Sequence, residues 1–296
     1  MSWRRRFLHF YNIADGVCMT DNEFAQIIGL ITKSIGIIPR DSHVTGIRNY
    51  IEKRSEELSC GKSFSSFYNS LLSDKEEMVR LINSATVNET YFFREEAQFL
   101  LLKNKIFPDF VQRCGRNIKI WSAAASSGEE IYSLFLLAES MGLNASCIAS
   151  DINTDVLLKC EGGRYKKNAI RAGDGAKFHP LLEKYKNDDG SFTISNDICS
   201  KIVRKRINLS KLCDFPEGQD IIFIRNVFIY FSAEMKKKIL MKVVSESLAP
   251  GGYLFVSMNE VAGLDKSIIP EGLEKISDGN VFYFRKGPQE DIWQKT

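Results

Sequence analysis

The spacing of hydrophobic residues divides the chain into two parts. Between residues 20 and 83, apolar side chains recur three or four positions apart, as they do on one face of a helix. Thr20 and Glu23 form a capping box ahead of the first of these segments. The pattern predicts four helices, which begin near residues 20, 42, 63 and 74. We therefore predict an all-helical domain over residues 20–86, after an N-terminal extension of residues 1–19.

From residue 118 onward, short apolar runs alternate with amphipathic helical segments. Such alternation is typical of a mostly parallel sheet with helices on both faces. A final hairpin is expected to pair residues 273–277 with residues 281–285 across Asp278-Gly279, as an antiparallel edge. We predict a doubly wound α/β domain over residues 97–286 and a C-terminal tail at 287–296.

Residues 168–206 interrupt this alternation. Asp188-Asp189-Gly190 predicts a turn, and the runs at 191–195 and 201–207 have the composition of strands. We expect them to form a small antiparallel β-subdomain that is inserted into the larger domain.

The segment 118–137 joins a predicted strand to a predicted helix through a turn of small residues, Ala123 to Gly128. In doubly wound domains the ligand lies at the carboxyl ends of the strands. The turn contains neither a dinucleotide-binding G-x-G-x-x-G nor a P-loop, so it predicts no phosphate site. Asp151 ends the next apolar run, where an acidic residue could bind a ribose diol. A nucleoside cofactor without phosphates, such as S-adenosylmethionine, satisfies both observations. Alternatively, Asp151 caps the helix predicted at 153–160.

Composition excludes several classes of protein. The chain has 296 residues, 44% of them hydrophobic, and a net charge of only +3, which is unlike a dedicated nucleic-acid binder. Three widely spaced histidines and the absence of C-x-x-C argue against a metal site. Most of the seven cysteines lie in apolar segments, as small core residues of a reducing compartment do; they are Cys18, Cys60, Cys114, Cys147, Cys160, Cys199 and Cys213.

Targeting signals are weak. Residues 3–10 resemble a signal peptide superficially, but His9, Asn12 and Asp15 interrupt the apolar part. No run approaches the roughly 20 apolar residues of a membrane helix. We expect a cytoplasmic protein without membrane insertion.

Residues 87–96 lie between the two predicted domains and contain Tyr91, Phe92, Phe93 and Arg94 in succession. Taken alone, this block is best explained as an apolar linker before the helix predicted at 97–105.

Five blocks of the sequence, taken together, change this interpretation. They are Asn88-x-Thr90-x-Phe92-Phe93-Arg94, Trp121 to Glu130, Ser150 to Leu157, Arg225 to Phe231 and Pro250 to Gly252. In this order they resemble the chemotaxis receptor methyltransferases, often called CheR, and the resemblance covers about residues 20–285. It implies methyl transfer from S-adenosylmethionine to glutamate side chains of bacterial chemoreceptors. It also implies a seven-stranded S-adenosylmethionine-dependent methyltransferase domain with a small β-subdomain, preceded by a helical domain, and a linker at 87–96 that contributes to the cofactor site.

The resemblance also implies a set of cofactor contacts. Carried over position by position, they are Asn88, Thr90, Arg94, Glu130, Asp151, Asn208, Leu209, Asn226 and Val227. The residue types suit these roles. Asp151 can accept hydrogen bonds from both ribose hydroxyls, and Asn208 can pair with the adenine edge beside Leu209. Asn226 and Glu130 can bind the amino-acid end of the cofactor.

Two residues are candidates for the reaction itself. A glutamate carboxylate is already ionised near neutral pH, so methyl transfer needs placement rather than a general base. Arg94 is expected to orient a carboxylate, either that of the incoming glutamate or that of the methionine part of the cofactor. Tyr230 is the second candidate, for positioning the glutamate; alternatively it is an aromatic core residue.

The sequence departs from the family pattern at two places. The second predicted helix retains Lys53 and Arg54 of a basic cluster thought to dock the acidic receptor, but Glu52, Glu56 and Glu57 offset them. After the fifth strand the family's Gly-His-Ser-Glu is replaced by residues 257–260, Ser-Met-Asn-Glu. Both departures predict a substrate-binding surface that differs from the usual one of the family.

Three functions from different classes therefore remain open. The favoured one is a protein-glutamate O-methyltransferase that acts, as a monomer, on the cytoplasmic helical domain of chemoreceptors. Whether the β-subdomain also binds a receptor's C-terminal tether peptide stays open. The alternatives are a non-catalytic S-adenosylmethionine-binding regulatory module, or a methyltransferase for another protein or a small molecule. None of the three involves nucleic acid.

Overall fold

The computed structural model of the protein describes residues 19–57 and 63–288. It divides into two compact units. The described residues of the first unit are 19–34, 39–57 and 63–86, and those of the second unit are 35–38 and 87–288. The predictions for residues 1–18, for the C-terminal tail beyond residue 288, and for Cys18 and Cys60 lie outside the described residues. Within the described part, no helix is long and apolar enough to cross a membrane.

The first unit is built from helices, as predicted. They are α1 (Asp21–Ile35), α2 (Asp41–Glu57), α3 (Phe64–Ser73) and α4 (Lys75–Ser84). The predicted capping box is confirmed, since the Thr20 amide donates to the Glu23 carboxylate at 2.7 Å and the Glu23 amide donates to Thr20 Oγ1 at 3.3 Å. In α1 the apolar residues Phe24, Ile27 and Ile31 are buried at helical spacing, and Ile27 and Ile31 are fully inaccessible to solvent.

The second unit contains six α-helices and nine strands among its described residues. The helices are α5 (Glu96–Leu101), α6 (Phe107–Cys114), α7 (Glu129–Ser140), α8 (Thr154–Gly162), α9 (Asn196–Cys199) and α10 (Ala233–Lys242). The strands are β1 (Asn117–Ala123), β2 (Asn144–Asp151), β3 (Arg164–Tyr165), β4 (Phe192–Thr193), β5 (Ile202–Arg206), β6 (Gln219–Ile224), β7 (Leu248–Phe255), β8 (Leu273–Asp278) and β9 (Val281–Lys286). A π-helical turn, Leu102–Ile106, joins α5 to α6, so the predicted helix at 97–105 continues to Cys114.

Seven strands form one sheet in the order β5-β2-β1-β6-β7-β9-β8. The first five are parallel, and the predicted final hairpin, β8 with β9, adds the antiparallel edge. The last four residues of β1 and of β6 are all buried, as expected for central strands of a sheet that helices cover on both faces. Trp121 in β1 is fully buried, and its indole nitrogen donates to Ser150 Oγ at 2.9 Å. The predicted seven-stranded doubly wound fold is therefore confirmed.

The inserted segment differs in part from the prediction. The turn at 188–190 is present, and β3 and β4 form the small antiparallel sheet. The run at 201–207, however, contributes β5 to the large sheet, where it pairs in parallel with β2 from Cys147↔Ile202 to Asp151↔Arg206. That part of the prediction was wrong because local sequence shows that a run is a strand but not which distant strand it pairs with, here β2 in the large sheet.

Candidate functional site

The predicted cofactor residues lie at one edge of the large sheet. Strands β5, β2, β1 and β6 are parallel neighbours, so their carboxyl ends meet at this edge. The chain passes outward from β1 to β2 and later returns to β6 on the other side of β1. This reversal is the topological switch point at which doubly wound domains bind ligands. Asp151 ends β2, and Asn208 and Asn226 lie two residues beyond β5 and β6.

The turn after β1 has an unusual backbone. Ala124 and Ser126 adopt left-handed conformations with φ of 61° and 51°, and Gly128 has φ of 96°. A Cβ atom at Gly128 would lie 2.4 Å from Cys160 Sγ, so glycine is required there on two grounds. Strained residues of this kind persist only where the surroundings fix them, and they cluster at ligand sites.

Asp151 is what fixes this turn. Its carboxylate accepts hydrogen bonds from the Ser126 amide and from the Asn153 amide, both at 2.9 Å. The Ser126 hydroxyl in turn donates to the carbonyl of Asn88 at 3.1 Å, which ties the linker to the same turn. The structure thus brings Asn88 and Asp151 together, although they are far apart in the sequence. Asp151 does not cap α8, because Asn153 occupies the N-cap position and accepts from the Asp155 and Val156 amides.

Burial governs the electrostatics of Asp151. Its side chain is almost inaccessible, and this desolvation raises the pKa of the carboxyl group above its ordinary value, while the amides of Asn153 and Ser126 oppose the shift. Each carboxylate oxygen has a second lone pair that could accept from a ligand hydroxyl.

Residues 88–96 are not a loosely packed linker. Phe92 and Phe93 are fully buried, and their rings pack against Tyr165 at 4.9 Å and Phe178 at 5.1 Å between centroids. The Phe93 amide donates to Ser133 Oγ at 2.9 Å. Arg94 follows with a partly exposed side chain, whose Nη1 donates to the Glu89 carbonyl at 2.9 Å. The aromatic block is thus a core element from which Arg94 projects.

Arg225 is a site residue that the sequence analysis did not single out. It is 5% exposed, and its Nε donates to Glu130 Oε2 at 2.7 Å. Its Nη1 donates to the Arg94 carbonyl and to Gln98 Oε1, both at 2.8 Å. Glu130 also accepts from Ser122 Oγ at 2.6 Å, so the predicted cofactor contact at Glu130 stays a prediction. An arginine that ends an apolar strand was the available signal, since arginine is seldom fully buried unless it is paired.

Glu260 is a second site residue that the sequence analysis did not single out. Its carboxylate accepts from the Asn226 amide at 2.7 Å and from the Ile229 amide at 3.1 Å. Burial raises the pKa of Glu260, and the backbone amides partly offset this. Asn226 has φ of 56°, so Glu260 stabilises a left-handed backbone at a predicted cofactor contact.

The remaining predicted residues lie on the same edge. Asn208 Oδ1 accepts from the Ser210 amide at 3.0 Å, and Leu209 beside it is buried. Val227 and Tyr230 are partly exposed in the turn after β6. The Tyr230 carbonyl accepts from the Ile38 amide at 2.9 Å, which fixes its backbone.

These residues fit S-adenosylmethionine. The Ser126 amide of the first turn is bonded to Asp151 instead of contributing to a phosphate cradle, and the amide side chains of Asn208 and Asn226 follow the ends of β5 and β6. When bound, the cofactor supplies an electrophilic methyl group on a sulfonium. Among the residues that the structure describes, no group of three or more His, Cys, Asp or Glu side chains could hold a metal ion.

Comparison with known proteins identifies relatives. The family described as CheR methyltransferase, SAM binding domain, matches residues 88–270. Chemotaxis protein methyltransferase Cher2 of Pseudomonas putida is 34% identical over 192 residues, which are 61% of this chain and 68% of that protein. Chemotaxis protein methyltransferase 2 of Vibrio cholerae is 33% identical over 259 residues, 82% of this chain and 87% of that protein. The chemotaxis protein methyltransferase of Escherichia coli is 30% identical over 256 residues, 84% and 87% respectively.

Proposed function

The chain belongs to the CheR methyltransferase family, and we propose that it methylates glutamate side chains of chemoreceptor cytoplasmic domains. The matched region is the family's cofactor-binding domain, so the predicted cofactor, S-adenosylmethionine, is confirmed. The acceptor is the further step. The names of the relatives refer to chemotaxis and to methyl transfer. A carboxylate on a chemoreceptor is a methyl acceptor that accounts for both terms. Such an acceptor places the reaction in the cytoplasm.

The observation that carries the proposal is the position of Arg94. It projects from a buried aromatic segment that is bonded to the cofactor edge through Ser126 and Arg225. A partly exposed guanidinium on a fixed backbone can hold a carboxylate in one orientation through a forked contact. In this role the guanidinium would serve the methyl acceptor, and its alternative role is to hold the methionine carboxylate of the cofactor.

The residues of this chain have few chemical tasks in such a transfer. Asp151 would accept from the ribose, and Asn208 beside Leu209 would meet the adenine. Asn88, Thr90, Asn226, Val227 and Glu130 would complete the cofactor contacts. Arg94 and Tyr230 would place the acceptor carboxylate in line with the methyl group. Alignment and exclusion of water are the main contributions, because neither partner needs a proton transferred.

Labelled methyl transfer tests the proposal. The full chain is incubated with methyl-labelled S-adenosylmethionine and a chemoreceptor cytoplasmic fragment, and the label is mapped by peptide. We expect label on glutamates of the fragment that mild base releases as methanol, because methyl esters hydrolyse readily. A fragment whose methylated glutamates are replaced by alanine is the matched control. Cofactor binding without base-labile label on any receptor fragment would favour the regulatory-module alternative.

Helix α2 carries the basic residues that would dock the receptor. Of the two basic residues retained in α2, Arg54 is engaged within its own unit, since its Nε donates to Glu77 at 2.9 Å and its Nη1 donates to Glu57 at 2.6 Å. Lys53 has a side chain that is 80% exposed. We propose that α2 contributes little net positive charge to receptor binding. Binding of a receptor tether peptide by the inserted segment stays a prediction.

A further inference from the structure

We propose that Asp174, in the inserted segment, is a positioning residue that fixes the backbone on which Arg94 is placed. This inference rests on the proposed function, because it assumes that Arg94 orients a carboxylate during methyl transfer. Asp174 lies outside all the predicted cofactor positions. It is linked to the reaction only through the segment 91–96.

The contacts of Asp174 converge on that segment. Its Oδ2 accepts from the Tyr91 hydroxyl at 2.8 Å and from the Glu95 amide at 2.7 Å. Its Oδ1 accepts from the Glu96 amide at 2.8 Å. Helix α5 begins at Glu96, and the side chain of its N-cap residue, Glu95, makes no capping hydrogen bond. A carboxylate from 78 residues further along the chain therefore performs the capping.

The backbone at Arg94 needs such support. Phe93 and Glu95, on either side of it, have φ of 56° and 62°. Left-handed conformations are unfavourable for residues with a side chain, and each persists only where neighbouring contacts fix it. Asp174 bonds the amide that follows Arg94, while Arg225 bonds the carbonyl of Arg94 itself. The backbone that carries the Arg94 side chain is thus held by contacts from two distant parts of the chain.

The charge of Asp174 matters for this role. Burial alone would raise the pKa of its carboxyl group, but the amides of Glu96 and Glu95 and the Tyr91 hydroxyl outweigh burial, so the pKa is lowered. The group is an ionised acceptor that faces three donors. Replacement by asparagine keeps the shape but turns an amide donor toward donors. A side chain that served only to fill space would tolerate this change.

Other contacts between the same segments provide a control. Lys177 Nζ lies 3.3 Å from Glu96 Oε1, in an ion pair whose lysine side chain is 64% exposed. This pair also joins the inserted segment to α5, but it touches neither the Glu95 amide nor the Arg94 carbonyl. An exposed pair of this kind contributes little to stability or placement. Lys177→Ala is therefore the matched variant.

The test is a double-mutant cycle on methyl transfer to a receptor fragment, at a temperature where circular dichroism shows every variant folded. We expect Asp174→Asn to lower kcat by about tenfold or more, and Lys177→Ala to change it less than about twofold. In the Arg94→Ala background, Asp174→Asn should cause no further loss, because the residue it positions is gone. A structural role alone would give the same fractional loss in both backgrounds.

The outcomes separate this inference from the proposed function. If Arg94→Ala lowers kcat but Asp174→Asn leaves it unchanged, or if the two losses multiply, Asp174 does not position Arg94. If Arg94→Ala itself leaves kcat unchanged, the proposed role of Arg94 fails first. Should Asp174→Asn not fold, Tyr91→Phe removes one of the three donors. It should lower kcat by about twofold to fivefold in the wild-type background and not at all beside Arg94→Ala, and any other result overturns the inference.

Discussion

Buried carboxylates have different hydrogen-bond partners in the two units of this protein. In the helical unit, Glu77 is 1% exposed and its partners are side chains. Arg54 Nε and Arg80 Nη1 lie 2.9 and 3.0 Å from its Oε2, and the Tyr50 hydroxyl also donates to it. These contacts join α2 to α4. At the edge of the large sheet, Asp151 and Glu260 accept mainly from backbone amides.

The difference lies in what each carboxylate stabilises. Side-chain partners neutralise a charge between two helices that are regular without it, so Glu77 contributes to the stability of a fold. Backbone partners stabilise loops that would otherwise be strained, such as Ser126 and Asn226 with positive φ. Loss of a carboxylate with side-chain partners should therefore lower the free energy of unfolding. Loss of a carboxylate with backbone partners should impair ligand binding or turnover more than it lowers the free energy of unfolding.

The strongest test of this contrast is Arg94, whose backbone the second kind of contact supports. We expect Arg94→Ala to lower methyl transfer by about two orders of magnitude or more, equivalent to about 3 kcal/mol of transition-state stabilisation, while the fold persists. Arg94→Lys should restore only part of the loss, because an ammonium lacks the planar fork that orients a carboxylate. Turnover rates with a receptor fragment measure both. A wild-type rate for Arg94→Ala would return the aromatic block to a packing role alone.

The affinity for S-adenosylhomocysteine shows which carboxylate Arg94 holds. If the Kd rises in Arg94→Ala, the arginine binds the methionine part of the cofactor. If the Kd is unchanged while turnover of the protein substrate falls, Arg94 contacts the incoming glutamate.

The next largest effect is expected for Asp151. Asp151→Ala should weaken S-adenosylhomocysteine binding by about 1–3 kcal/mol, because the ribose hydroxyls lose a buried acceptor and the Ser126 turn loses its support. Isothermal titration calorimetry measures this change. An unchanged Kd in a folded variant would show that Asp151 supports the turn without meeting the ligand.

The pH dependence of binding gives an independent check on Asp151. Burial raises the pKa of this carboxyl group, and only the ionised form can accept from both hydroxyls. Affinity should therefore fall as the pH is lowered through that raised pKa, at a less acidic pH than an exposed aspartate would give. Asp151→Asn should remove this dependence, and its persistence in that variant would assign it to another group.

Glu77 should behave in the opposite way. Glu77→Gln should lower the free energy of unfolding by about 1–2 kcal/mol, less than for a fully buried ion pair, because Arg54 and Arg80 are partly exposed. It should leave the Kd for S-adenosylhomocysteine unchanged. Urea denaturation and calorimetry measure the two quantities, with Glu76→Gln, on the exposed side of α4, as the control. A change in Kd without a change in stability would contradict the contrast between the two units.

Much of the fold was predictable because the periodicity of apolar residues shows which face of a helix or strand is buried. The buried faces then determine how the helices pack on the sheet. The strand and helix pattern from residue 118 and the final hairpin needed only local sequence. Local sequence misassigned β5, because its strand composition does not specify the parallel pairing with β2. It also ended a helix at Lys105, where the π-helical turn instead carries the helix on to Cys114.

Most of the candidate site residues were predicted from the resemblance to the family, and local sequence alone could predict a site residue only where its type implies its own chemistry. Asp151 at a strand end is such a case. Arg225 and Asp174 are not, because their roles depend on partners far away in sequence: 95 residues separate Arg225 from Glu130, and 79 separate Asp174 from Glu95. The left-handed backbone at Phe93 and Glu95 has no sequence signal either, since neither residue is a glycine.

The smallest effect is predicted for Lys53, on the surface of the helical unit. Its ammonium lies 3.9 Å from Glu57 and its side chain is 80% exposed, so Lys53→Ala should change the free energy of unfolding by less than about 0.5 kcal/mol. Its effect on receptor binding is the informative part. If α2 carries little net charge, as Glu52 and Glu57 beside it indicate, the KM for a receptor fragment should change less than about twofold.

The salt dependence of KM completes the test of Lys53. A basic docking surface loses affinity steeply with ionic strength, because its exposed charges are screened. We expect a shallow dependence for the wild-type chain and the same dependence for Lys53→Ala. A steep dependence that Lys53→Ala flattens would show that α2 still docks an acidic receptor surface, and that the neighbouring glutamates do not offset it. Charge on this exposed helix would then contribute to recognition without contributing to stability, the reverse of the role assigned to Glu77.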